Sequence, residues 1–334
     1  MNKLIKKGAL FLLPLAILTA CYIITDPFQN VLPHDEYALE YMMLSRGNVS
    51  TKVYLKNREK FKYDSFIFGS SRSCSHTSKE WAKYLSKENV PFSFGAWNEN
   101  IEGMYRRIKL IDSLGGPLRN AFIVMDVDGT FTKSDTDRAS DFSSDHYLIS
   151  GISKYKYYAK DYFAYLKDPV LILTSIDYKI FHKRRWYMTD FVHMDKSDLD
   201  PVNNDWDPSS EKKILKDSVA YYKRTGDKFY KRPDTQKIAK IQITKKKEQY
   251  LLKIFTLFRK HHTKYKIVIA PLYDQIKLNP QDKLVLDNIF GRFNVYDYSG
   301  INEITNNQFN YAKDVTHYRK KVGNLIYKQI YNKN

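Results

Sequence analysis

Ser65-Phe66-Ile67-Phe68-Gly69-Ser70-Ser71-Arg72 reads as an apolar strand that stops abruptly at Gly-Ser-Ser. A serine at a strand-to-helix turn projects its hydroxyl from the edge of the sheet. The free backbone N–H groups of such a turn can face a developing oxyanion. Gly69 permits the tight backbone, and Ser70 is the rival hydroxyl. The bland alternative is a serine that caps a helix and does no chemistry.

Outward from this stretch, strand and helix patterns alternate. Residues 78–85 read as helix, 91–96 as a short second strand, and 104–114 as a helix with Ile108, Ile111 and Leu114 on one face. Gly115-Gly116-Pro117 is an expected stop for that helix. Ala121-Phe122-Ile123-Val124-Met125 is a continuous apolar run between polar residues, the mark of a strand buried on both faces. Residues 132–245 break the rhythm, with helical stretches at 155–166 and 212–222 and a loop at 201–208, and read as an insertion or cap. The alternation then resumes with an amphipathic helix at 247–261 (Leu251, Ile254, Phe258) and a strand at 266–270. A helix at 282–290, a strand at 294–298 and a closing helix at 322–331 follow. Such alternation predicts an α/β fold with a parallel sheet and helices on both faces. Ligands of these sheets sit beyond the carboxyl ends of the strands, where Ser71 and the segment after Tyr298 lie.

That late segment is Tyr311-Ala312-Lys313-Asp314-Val315-Thr316-His317. An Asp and a His three apart can face one point, and the carboxylate can orient the imidazole as a general base. Ser71 is then the candidate nucleophile, His317 its base and Asp314 the orienting group.

Gly69-Ser70-Ser71 after the first strand, Asp314-x-x-His317 near the C-terminus and Gly323 soon after resemble the SGNH (GDSL-type) hydrolase superfamily. An N-terminal apolar segment, Gly-Ser-Ser in place of Gly-Asp-Ser, and Tyr311-x-x-Asp314-x-x-His317 are most similar to its envelope branch. That branch includes the D-alanyl-lipoteichoic acid transfer protein and the alginate O-acetylation proteins. The resemblance implies a three-layer, flavodoxin-like SGNH domain with a parallel sheet, here carrying a helical insertion. It also implies a serine acyl esterase or O-acyltransferase that acts on a cell-envelope glycan through an acyl-enzyme, with no cofactor or metal. A multi-pass membrane acyltransferase is the partner it suggests. For the oxyanion hole the family supplies a glycine N–H after the second strand and an asparagine after the third. The second-strand region here offers Asn98, with Gly95 and Gly103 as further candidates. After the third strand Asp128 stands where asparagine is expected, and an ionised carboxylate there would repel an oxyanion. The alternative is a non-catalytic glycan-binding or scaffold protein of envelope polysaccharide assembly.

The chain of 334 residues, 43% hydrophobic, can bury one large domain with an insertion. Its net charge of +18 comes without a nucleic-acid motif, so anionic lipid headgroups or acidic polysaccharide are the partners such a surface suits. His182-Lys183-Arg184-Arg185 before Trp186 is either a grip for such anions or a solvated face. His193-Met194-Asp195 and His261-His262 lack a convincing metal-ligand set. Cys21 and Cys74 lie in contexts that make an intramolecular disulfide implausible.

Lys3, Lys6 and Lys7 precede an uncharged apolar run at 8–25, which predicts a single-pass transmembrane anchor over residues 1–25. The N-terminus would lie inside and the bulk outside the bacterial cytoplasmic membrane. Leu18-Thr19-Ala20-Cys21 also resembles a lipoprotein cleavage box, in which Cys21 would carry the lipid. Tyr22-Ile23-Ile24 continues the apolar run, which favours the uncleaved anchor. Residues 26–60 read as a polar, aromatic connector with a helical stretch at 37–44, and 61–334 as the SGNH-like domain.

Overall fold

Ser65–Gly69 (β1), Pro91–Ser93 (β2), Asn120–Met125 (β3), Lys264–Ile269 (β4) and Val295–Asp297 (β5) form one all-parallel sheet in the order β2-β1-β3-β4-β5. The computed structural model describes residues 2–32, 34, 44–131, 145–188, 198–312 and 315–332, with side chains from residue 11 onward, Asp198 excepted. This strand order is that of doubly wound sheets whose switch point falls between β1 and β3. Every residue of β1 and β3 is buried, so the sheet is covered on both faces, as continuous apolar strands require. The register sets Ser65 beside Asn120 and Gly69 beside Val124. The chain therefore leaves both strands at neighbouring points of one rim.

Two strands depart furthest from their sequence limits, for backbone reasons. β4 begins at Lys264, ahead of its apolar stretch, because Asn120 to Met125 pair with Lys264 to Ile269 throughout. β2 ends at Ser93, yet Phe94 and Ala96 still donate their N–H groups to Ile67 O at 2.8 Å and Gly69 O at 3.1 Å.

The chain divides into two compact units, Met1–Ser45 with Asp141–Lys196, and Arg46–Ser140 with Ser197–Asn334. Of the stretch read as insertion, 197–245 thus stays with the sheet unit. There the 212–222 segment is two helices, Ser209–Lys216 and Ser218–Thr225, separated at Asp217, whose side chain caps the second. Trp206–Asp207, read as loop, pairs with Asp198–Leu199 in a two-stranded ribbon.

In the first unit Asn2–Thr25 (α1) packs against Lys154–Lys167 and Pro169–Phe181. Among the described residues no helix is long and apolar enough to cross a membrane. The helical stretch expected at 37–44 lies almost wholly outside the described residues.

In the sheet unit Arg46–Phe61 (α2) occupies much of what reads as connector. Its composition is polar, but Val49, Val53 and Tyr54 are buried, and the Tyr54 ring lies 5.8 Å from both Phe66 and Phe92. A fully buried ion pair ties it down. Arg107, on the helix Ile101–Ser113 (α3), meets Glu99 at 2.6 Å and donates to Gly47 O at 3.1 Å and Thr51 Oγ1 at 3.0 Å.

The closing helix Lys320–Tyr331 (α4) lies on the turn that follows β1, and Gly323 is what lets it approach. A Cβ at Gly323 would stand 1.9 Å from Ser75 O, a backbone atom that cannot swing aside. Gly323→Ala is therefore expected to lower stability by about 3 kcal/mol or more, the upper part of the range for overpacked sites. A fall in the denaturation midpoint at unchanged slope checks this.

Candidate active site

Gly69 ends β1 and the chain turns into a short 3-10 helix, Ser71–Ser75, capped by Ser70. The two serines have different employment. Ser70 Oγ is buried, donates to Asp126 Oδ2 and accepts from Arg72 N–H at 3.3 Å. Ser71 Oγ is half-buried and lies 2.7 Å from His317 Nε2 across 246 residues of sequence. Among the described residues nothing accepts the Ser71 backbone N–H, as befits the first donor of a helical turn.

His317 sits on a loop pinned on both sides. Tyr311 and Tyr318 form an antiparallel bridge, and Ala312 N–H donates to His317 O at 3.1 Å. Ser75 Oγ donates to Tyr318 O, and Thr316 Oγ1 stands 2.9 Å from His317 Nδ1. Val315 adopts φ 51°, an unfavourable region for a β-branched residue, of the kind that collects at functional loops. Asp314, the expected orienting carboxylate, lies outside the described residues, as do His193 and Asp195. His261, of the adjacent histidine pair, meets Asp112 at 2.7 Å.

Arg72 is a residue of this candidate site that reading the sequence misses. Its guanidinium forks onto Asp128, Nη1 to Oδ1 at 2.6 Å and Nη2 to Oδ2 at 2.9 Å. Nη1 also lies 3.2 Å from Asp126 Oδ2, and Nε donates to Thr316 O at 2.8 Å. One side chain thus joins the Ser71 turn, the carboxylates after β3 and the His317 loop. Burial alone disfavours the Arg72 cation, but Asp126 and Asp128 override this and raise it above its ordinary value. Asp128, at the position where the SGNH resemblance expects an oxyanion donor, is instead the outer partner of this pair, with a side chain 45% exposed. The signal was present as an arginine next to Ser71 and two carboxylates after a buried strand. Nothing local says that they meet.

Burial pushes the Asp274 carboxyl above the usual range, and Asp128 adds to the effect, so a third acid borders the same rim. The expected oxyanion residues are placed as follows. Gly103 donates its N–H to Asn100 Oδ1 at 2.9 Å in the cap of α3, so that group is engaged. Gly95 supplies clearance, since a Cβ there would fall 2.6 Å from Ser73 Oγ. Asn98 is half-buried, in the turn after β2 at φ 51°, a conformation asparagine tolerates.

Beneath the His317 loop lies His76, wholly buried, with Nε2 2.8 Å from Tyr318 Oη and its ring 5.0 Å from that of Phe122. Nδ1 has no partner among the described residues. Burial pushes this imidazole down to about 3. A histidine in the unfolded chain titrates near about 6.5, so unfolding takes up a proton between the two values. The contribution to stability is complete above about pH 6.5 and is lost progressively as pH falls toward about 3. His76→Gln is expected to lose about 2 kcal/mol less than the parent between pH 7 and pH 4.5. Paired denaturant titrations at the two pH values measure the difference.

Compared with known proteins, the chain matches no family model and no curated protein.

Proposed function

We propose that the protein is a membrane-tethered serine acyl esterase or O-acyltransferase of a cell-envelope glycan. The observation that carries this is the contact of Ser71 Oγ with His317 Nε2 at 2.7 Å, at the carboxyl ends of a parallel sheet. A hydroxyl and an imidazole in that geometry can run acyl transfer.

In the proposed cycle Ser71 Oγ attacks an ester carbonyl while its proton passes to His317 Nε2. The resulting oxyanion is met by the Ser71 N–H, with the neighbourhood of Gly95 and Asn98 as the further side of the hole. Collapse breaks the ester bond, and the departing alkoxide takes the proton from His317. Acyl-Ser71 then gives its acyl group to a sugar hydroxyl or to water, whose proton returns through His317 to the serine. Asp314 is assigned to orienting the imidazole and Arg72 to positioning the loop that bears it.

The same reading gives α1 the role of an anchor, N-terminus inside, with a multi-pass acyltransferase as the donor-side partner. Lys3, Lys6 and Lys7 before the apolar run support this, as do the exposed Phe11, Leu12 and Leu13 of α1. A short acyl ester such as p-nitrophenyl acetate tests the chemistry. The expected result is an acetyl mass increment on the peptide that holds Ser71. Release of p-nitrophenol with no modified peptide, unchanged in Ser71→Ala, would refute it.

A further inference from the structure

The helix Pro169–Phe181 turns much of its apolar surface outward. Thr174, Ser175 and Asp177 are buried beside Leu171, while Val170, Leu173, Ile180 and Phe181 are exposed together with Lys179, whose long stem can carry its charge out to the headgroups. A helix bathed in water buries its apolar stripe and exposes the polar one, so this arrangement belongs to an apolar solvent. The buried acid is neutralised within the same segment, for Asp177 accepts from Arg185 Nε at 2.7 Å and from the Tyr187 hydroxyl. That leaves no unpaired carboxylate to oppose burial in lipid. α1, against which the helix packs, exposes apolar side chains of its own.

What covers this face is indicated by the residues at its end. His182, at φ 51°, closes the helix, and Lys183, Arg184 and the 85% exposed Trp186 follow. Lys183 and Arg184 have no acidic partner among the described residues. Unpaired cations beside an exposed tryptophan, at the end of an apolar helix, complement an anionic membrane surface. An apolar groove on a protein would not call for them. With 13 residues the helix is about 20 Å long, too short to span a bilayer.

We infer that Pro169–Phe181 lies within the membrane interface, its Leu173–Phe181 face among acyl chains and its Lys183–Trp186 end at anionic headgroups. This rests on the anchoring of α1 proposed above and is independent of the chemistry at Ser71.

The test uses the full chain with Cys21→Ser and Cys74→Ser, reconstituted in mixed phosphatidylcholine and phosphatidylglycerol vesicles. Single cysteines at Leu173→Cys, Phe181→Cys, Leu13→Cys on α1 and Phe293→Cys on the sheet unit carry a bimane dye, and spin-labelled lipid is the quencher. Several-fold stronger quenching at 173 and 181 than at 293 is expected, and weaker quenching there when Lys183→Glu and Arg184→Glu are introduced. Quenching at 13 with none at 173 or 181 overturns the inference while the anchor stands; no quenching at any of the three overturns both. Blue-shifted emission at 173 and 181 without lipid quenching would mean a protein covers the face, which also overturns it. Quenching indifferent to both charge reversals removes the headgroup contact.

Discussion

Ser71→Ala is expected to lower acyl turnover by about four orders of magnitude or more, the scale on which a nucleophile at the centre of such a site is missed. The structure makes this a clean substitution. Ser71 is half-buried and its hydroxyl contacts His317 alone among the described groups, so truncation orphans no other buried atom. Stability should move by well under about 1 kcal/mol, in line with substitutions outside the core. Ser70→Ala is the contrasting control. It removes the cap of the turn and a hydrogen bond to Asp126, and should weaken the fold by about 1 kcal/mol while leaving the proposed nucleophile present. Turnover with an acyl ester and the denaturation midpoint, measured on both variants, separate the two roles. Should Ser71→Ala turn over like the parent, Ser71 is not the nucleophile; should it complement loss of the protein in cells, the glycan-binding or scaffold reading replaces the enzymatic one.

Arg72→Met is expected to destabilise the protein by about 3 to 5 kcal/mol, because it strands the Asp126 carboxylate, which is wholly buried, without its cation. The loss should be non-additive. Arg72→Met with Asp126→Asn removes both charges and should recover much of the stability, since the larger penalty is an uncompensated buried charge and not the missing pair. Activity should not recover with it. Thr316 O loses its donor in either variant, and the loop no longer holds the imidazole on Ser71. Arg72→Lys should fall between, because an ammonium cannot fork onto Asp128 and still reach Asp126 and Thr316. A double-mutant cycle in denaturant, with acyl turnover on the folded protein, reads both effects. A single Arg72→Met variant that unfolds at the parent's denaturant concentration would remove the role assigned to the arginine.

How much of this was legible differs from element to element. The runs at 65–68 and 121–125 were readable as strands because each is buried on both faces, which leaves an uninterrupted apolar stretch in the sequence. α2 was not, because its buried face mixes Val49, Val53 and Tyr54 with Asn48, Ser50 and Thr51, and hydrogen bonds to Gly47 O make the Ser50 and Thr51 hydroxyls tolerable there. Gly323 was noticed only as part of a resemblance. Its physical reason, a helix backbone lying on Ser75 O, exists only once α4 is docked.

The sequence by itself determined the alternating strands and helices and the serine at the end of β1, since burial and turn chemistry act over a few neighbouring residues. It also marked His317 as a candidate. Tertiary structure alone decided that Asp128 would be an ion-pair partner of Arg72, that Ser70 would be tied to Asp126, and that Gly103 would spend its N–H on Asn100. Charges and hydrogen-bonding groups carry no periodicity that names their partners. Asp126 and Thr316 meet Arg72 only because the order β2-β1-β3 brings separate strand ends to one rim.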